Sequence, residues 1–128
     1  MLVFVEVDQV QAVYDLALLR VMSDLKGTTD LRPDVVVDFT DPGELHYWYR
    51  SEFGGSHGAS LGWYDDEESG TVRLADLIQD DALEDLWGPT WPPCPGHSHP
   101  AQAVLREGEA SWVCPHSRRP LSRIGSLS

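Results

Sequence analysis

Lysine occurs once and cysteine twice in this 128-residue chain, and nine lysines and arginines stand against 21 acids. Each scarcity excludes something. Two cysteines are too few for the disulfide framework that holds small secreted scaffolds together. No apolar run approaches the ~20 residues of a membrane-spanning helix. The shortage of base gives a formal net charge of -12, which disfavours non-specific attraction to nucleic acid or to anionic membranes. Residues 1–93 carry nineteen of the acids against five bases, whereas residues 94–128 carry two acids and four arginines. Internal repeats and low-complexity tracts are also missing. The segment Met1 to Val7 is too short for a signal-peptide core and already contains Glu6, so the expected compartment is the cytoplasm, where thiols stay reduced.

What is present describes a globular chain. A hydrophobic content of 41% is ordinary for one modest core and excludes disorder. Leu2 to Val7 is β-branched and aromatic and suits a short strand, although it could also extend the helix that follows. That helix is expected over Asp8 to Lys26, with Val10, Val13, Tyr14, Ala17, Leu18, Val21 and Leu25 on one face. Asp8 and Gln11 have capping-box spacing and Gly27 supplies a stop. From Pro33 to Leu74 the period changes to two. Val35 to Phe39, Glu44 to Phe53, Ala59 to Tyr64 and Thr71 to Leu74 are the expected strands, separated in part by Asp41-Pro42-Gly43 and by Asp66 to Gly70. Leu74, Leu77, Ile78, Leu86 and Trp87 return to helical spacing, ended by Gly88-Pro89. The fold class is therefore α+β: an antiparallel β-meander packed with two helices, followed by a C-terminal hairpin. An acidic body over 1–93 and a tail over 94–128 form one compact unit.

Three features of the body invite a functional reading. Leu45-His46-Tyr47-Trp48-Tyr49-Arg50 puts Leu45, Tyr47 and Tyr49 on one face and His46, Trp48 and Arg50 on the other. Packing under a helix is the expectation for Trp48, with a ligand platform as the alternative. Gly54-Gly55-Ser56-His57-Gly58 matches G-x-S-x-G, but the nucleophile elbow needs a helix after the serine, and Ala59 to Tyr64 alternates like a strand. A flexible hairpin loop is the expectation. Asp65-Asp66-Glu67-Glu68 and Asp80-Asp81 with Glu84-Asp85 lack the ligand order of an EF-hand loop and read as solvated faces.

The tail holds the chain's strongest chemical signal. Both cysteines and three of the five histidines fall within residues 94–116. Cys94-Pro95-Gly96-His97 has the C-x-x-[CH] spacing that lets two side chains converge on one ion over a tight turn. Glu107-Gly108-Glu109 offers a reversal, and Ala110 to Val113 a strand returning to Cys114. The expected zinc ligands are Cys94, His97, His99 and Cys114, with His116 as an alternative fourth. A Cys94 to Cys114 disulfide and unligated residues are the competing explanations. With only three ligands bound, zinc would keep a water of lowered pKa, for which Glu107, Glu109 and His116 are the local candidate bases. Trp87, Trp91 and Trp112 are expected to pack around the site.

This tail resembles a zinc ribbon, and more closely the C-P-x-H…H-P…W-V-C-P…I-G endings of small uncharacterised actinobacterial proteins. The resemblance covers about the last 35 residues and implies a closed structural zinc site beside a partner surface. The chain departs from the ribbon pattern at the second knuckle, Cys114-Pro115-His116-Ser117, which has no ligand at the usual position.

Three functions fit these readings. The first is a zinc-stabilised interaction or regulatory module with a protein partner. The second is a small zinc-dependent hydrolase or lyase. In the third, Arg118, Arg119 and Arg123 contact the phosphates of a nucleic acid.

Overall fold

The structure is a computed structural model and describes residues 2–41, 44–62, 66–87 and 90–127. Helix α1 spans Leu2–Thr28 and helix α2 Glu67–Asp85. Strands β1 (Asp34–Asp41), β2 (Glu44–Arg50) and β3 (Ser56–Leu61) form one antiparallel sheet. A second contains β4 (Gln102–Arg106), β5 (Glu109–Val113) and β6 (Pro120–Arg123), and both sheets run in sequence order. Among the described residues no helix is long and apolar enough to cross a membrane.

Helix α1 is held by one apolar stripe. Val10, Tyr14, Ala17, Val21 and Leu25 are all buried, at the i, i+4, i+7 spacing of a single helical face. Two threonines finish it: the Thr28 hydroxyl donates to the Asp24 carbonyl and the Thr29 hydroxyl to the Leu25 carbonyl. These bonds add to the backbone ones at the last turn, where the Leu25 carbonyl also accepts from the Thr29 amide at 2.9 Å. The start differs from expectation. Leu2 to Val7 continues the helix instead of forming a strand, so Asp8 lies inside it and is not a cap. A six-residue run with three valines, joined without a breaker to a helix, takes the helix's hydrogen bonds.

Helix α2 also starts earlier than its spacing suggested. Asp66 is the N-cap, in extended backbone with its carboxylate accepting from the Ser69 amide, and Glu67 and Glu68 occupy the first turn. Thr71 to Leu74, expected as a strand, is therefore helical. Gly70, Thr71, Leu74, Ala75, Ile78, Gln79 and Ala82 form the buried face. The expected stop at Gly88-Pro89 lies outside the described residues, as do Pro42-Gly43 of the first turn and Tyr64 and Asp65.

The meander follows its alternation. Leu45, Tyr47 and Tyr49 of β2 are buried toward the helices, and β2 pairs with β1 and β3 in continuous register except near Phe39 to Asp41. The tyrosine hydroxyls reach α2, Tyr47 donating to Asp81 at 2.6 Å and Tyr49 to Asp85 at 2.8 Å. His57 Nδ1 lies 2.7 Å from the same Asp81. Acids expected to be a solvated helix face thus clasp the sheet to α2. Glu67 and Glu68 bind Arg20 at 2.9 and 2.7 Å and tie α2 to α1 in the same way.

The C-terminal sheet closes the other side. Arg106 and Glu109 flank a two-residue turn in which Glu107 and Gly108 both have positive φ, 54° and 78°, as a type I′ hairpin requires. Strand β6 is short and was not expected from sequence. β5 is the central strand, and Ala110, Ser111, Trp112 and Val113 are all buried. Trp112 meets Trp91 edge to face at 5.3 Å between centroids. One buried carboxylate locks this sheet to α1: Asp24 accepts from the Trp112 indole at 2.8 Å, the Gly125 amide at 2.7 Å and the Leu127 amide at 2.9 Å.

Candidate metal centre

Two loops of the C-terminal sheet build the site. The first enters β4 and is drawn into a narrow hairpin by the Pro93 and Pro100 bridge and by the Ala101 amide donating to the Pro92 carbonyl at 2.7 Å. Inside it, the His97 amide donates to the Cys94 carbonyl at 3.0 Å, which closes the turn over Pro95-Gly96. The base of this loop is pinned by helix α2. The buried Gln79 amide donates to the carbonyls of Trp91, at 3.1 Å, and Ala101, at 2.6 Å.

The second loop joins β5 to β6. Cys114 ends the buried strand, its amide donating to the Arg119 carbonyl at 2.9 Å and its carbonyl accepting from the Arg118 amide at 2.8 Å. The Ser117 amide points at Cys114 Sγ from 3.5 Å. This N–H to sulfur contact stabilises a thiolate.

The ligand atoms of Cys94, His97, His99 and Cys114 all lie within 4.8 Å of one another. His97 Nδ1 and His99 Nε2 each sit 3.4 Å from Cys114 Sγ. Bonds of ~2.3 Å to sulfur and ~2.0 Å to nitrogen at a tetrahedral angle separate such donors by about 3.5 Å. The four residues are thus close enough to hold a metal ion. Both cysteines are buried free thiols, His99 is half-buried and His97 exposed. The disulfide alternative is therefore not the state described.

The thiols differ in acidity. Hydrogen bonds from the Ser117 hydroxyl, then from the Ser117 amide and His99, hold Cys114 down at about 5. Burial, reinforced by the neighbouring Cys114, pushes Cys94 up to about 11. A cation bound by both would take them as thiolates, so its binding is favoured as the pair loses its protons.

His116 is not in the converged set. Its exposed ring lies against the rings of His99 and His97, with centroids 4.4 and 6.2 Å away, on the outer side of the cluster. Glu107 and Glu109, considered as bases, sit at the opposite end of the hairpin: Arg106 pairs with Glu109 there, while Gln102 pairs with Val113 beside Cys114. Four residues of strand separate the ends, about 13 Å. Glu109 is instead bound to Arg123 at 2.6 Å, so of the three tail arginines considered for phosphate contact Arg123 is already engaged. Trp91 and Trp112 pack beneath the loops, but Trp87 is 92% exposed and takes no part.

The G-x-S-x-G stretch builds no elbow. Ser56 opens strand β3 and His57 turns to Asp81 and, at 3.4 Å, to Glu84. Trp48 is not covered by a helix: it lies on the outward face of its sheet, 43% exposed. Two supporting residues had no sequence signal. Asp24 and Gln79 each look like one more polar position on a helix, and their partners lie 88 and 22 residues away. Comparison of the chain with protein-family models, with curated proteins and with solved structures finds no match to any of them.

Proposed function

We propose that this protein is an interaction module of regulatory or accessory type, stabilised by a structural zinc ion on Cys94, His97, His99 and Cys114. The observation that carries this reading is the convergence of four ligand atoms from two loops to within 4.8 Å. Two thiolates and two neutral imidazoles suit Zn²⁺ in a closed tetrahedral site and neutralise its charge. Closed coordination leaves no position for water or substrate, and the acids that could have served as bases stand at the far end of the hairpin. That supports a staple over a catalyst. The two-loop arrangement is also what the resemblance to a zinc ribbon implies. A partner-binding role is supported by large apolar side chains left in solvent, among them Trp48, Phe53 and Trp87, on a body with nineteen acids and five bases.

Elemental analysis of protein purified without chelator tests the metal. One equivalent of zinc per chain is expected, lost in Cys114→Ser and His99→Ala and retained in His116→Ala. Chelation that removes the ion should lower the thermal midpoint by at least ~10 °C, because metal binding in such sites is folding free energy. Less than about a tenth of an equivalent in wild type, or complete removal with an unchanged midpoint, refutes the reading.

A further inference from the structure

The sheet of β1, β2 and β3 has one face on the helices and one turned away. Trp48 stands directly opposite Gly58 of β3. A Cβ built on Gly58 would meet three carbons of the Trp48 ring at 2.5, 2.6 and 3.1 Å. Only glycine lets the indole lie down on the neighbouring strand, so one face of the ring rests on backbone and the other is presented outward. The His46 ring follows two residues along β2, its centroid 6.2 Å away and its plane tilted by 19°. At ~3.3 Å of rise per residue, these are two rings tiled side by side. They form a flat aromatic pavement.

The surround of this pavement is acidic. Val36 pairs with Trp48 and is itself 43% exposed. Asp34 and Asp38, two residues to either side of Val36 and therefore on its face, are both exposed. They pair with Arg50 and His46 respectively. Glu44, also exposed, continues the β2 side of the face beyond His46. Arg50 is the one base on the described part of this face. The indole lies toward β3 while Asp34 and Asp38 stand on β1, across β2 from it, so the face attracts cations at two separate places, over the ring quadrupole and, about two strands away, at the carboxylates. Arginine suits the ring, because its planar guanidinium stacks on an aromatic face, and further bases of the same segment suit the carboxylates.

We propose that this face docks a basic segment of a protein partner, with one arginine side chain lying on Trp48 and further basic side chains of the segment met by Asp34 and Asp38. The proposal rests on the interaction-module reading and names the partner's chemistry. The acidic body steers such a segment inward and repels the phosphates of a nucleic acid, the other ligand class that uses aromatic pavements.

The test titrates zinc-loaded full-length protein, by calorimetry at low and at raised salt, with a synthetic peptide alternating arginine and serine. A glutamine-for-arginine peptide is the control. Saturable binding of the arginine peptide is expected. Trp48→Ala should weaken it by about 2- to 30-fold, the range a cation over an indole contributes. Asp34→Asn with Asp38→Asn should weaken it and flatten the salt dependence. Gly58→Ala keeps every charge and the indole but lifts the ring off the strand, and it too should weaken binding. If Trp48→Ala does not fold, Gly58→Ala and the double asparagine variant decide. Absent saturable binding, equal binding by wild type and Gly58→Ala, or binding of a neutral oligosaccharide in place of the peptide overturns the proposal. Zinc stoichiometry is measured in the same samples. A zinc-free wild type that still binds through Trp48 would refute the staple alone, and a zinc-replete protein that does not bind would refute the docking face alone.

Discussion

Removing the carboxylate of Asp24 should loosen the C-terminal sheet from the first helix. Asp24 is 1% exposed, and its Oδ2 accepts from the Trp112 indole and the Gly125 amide while Oδ1 accepts from the Leu127 amide. Asp24→Ala leaves three donors without an acceptor. A buried unsatisfied donor costs ~1–3 kcal/mol. The amides of Gly125 and Leu127 can recover water if the last residues lift away, but the fully buried indole of Trp112 cannot. The expected loss is therefore about 3–5 kcal/mol, at the upper end for a single substitution. In a domain of this size that lowers the thermal midpoint by roughly 10–20 °C. Asp24→Asn keeps one acceptor oxygen but turns an amide N–H₂ toward a donor, so it should cost about half as much. Trp112→Phe removes one donor and leaves the other two bonds, costing ~1–2 kcal/mol. Urea unfolding of the zinc-loaded variants, followed by far-ultraviolet circular dichroism, measures all three. A loss below ~1 kcal/mol in Asp24→Ala, or equal losses in Ala and Asn, would show that this hub does not hold the sheet.

Two further predictions concern pH. The hydrogen bond from Arg20, assisted by the Ala110 amide, holds the Glu68 carboxyl below its ordinary range. A depressed folded-state value means that the unfolded chain takes up the proton first. Its stabilisation is full above the ordinary value of ~4.3 and is lost as pH falls through the lower folded one. Glu68→Gln should flatten the acid limb of the stability curve, and parallel limbs in the two proteins would contradict the assignment. Tyr47 and Tyr49 are shifted the other way, raised by burial first and then by hydrogen bonds to Asp81 and Asp85. Their stabilisation is present below the ordinary value of ~10 and falls as pH rises above it. The Tyr47→Phe/Tyr49→Phe double variant should lose ~1–3 kcal/mol at neutral pH and show less alkaline decline. Denaturant midpoints across the alkaline range check both effects.

The metal cluster was legible in the sequence because its determinants are local. Cys94, His97 and His99 share one loop, and Cys114 returns through a hairpin whose turn, Glu107-Gly108, is written in adjacent residues. Soft donors are also rare enough in this chain to stand out. Strands β1, β2 and β3 were legible through alternation, but Trp48 was expected under a helix and instead lies 43% exposed on the outward face, because parity groups it with His46 and Arg50 without saying which face the helices cover. The start of α2 was not, because Gly70, Thr71 and Val72 have poor helix propensity and only their packing under α1 overrides it. Leu2 to Val7 misled for the reverse reason: its three valines suit a strand, but among the described residues no strand pairs with it. Asp81 and Asp85 resembled solvent-facing charge, since the tyrosines that bind them belong to a strand more than thirty residues earlier. The sequence separation of partners, more than residue type, decided what could be read.

The bond from the Leu127 amide to Asp24 spans 103 residues. During synthesis α1 is made long before the segment that satisfies its buried carboxylate, so the first helix waits exposed while the rest of the chain follows. The meander and α2 can assemble on one side of it, but the side carrying Asp24 stays wet until residues 112–127 arrive. Docking of the C-terminal sheet on α1 thus rests on contacts of long sequence separation, whose loop-closure entropy must be met before the contacts reward it. The two loops of the Cys/His cluster, whose residues lie close together in sequence, can form before that docking and present the helix with a sheet already shaped to fit.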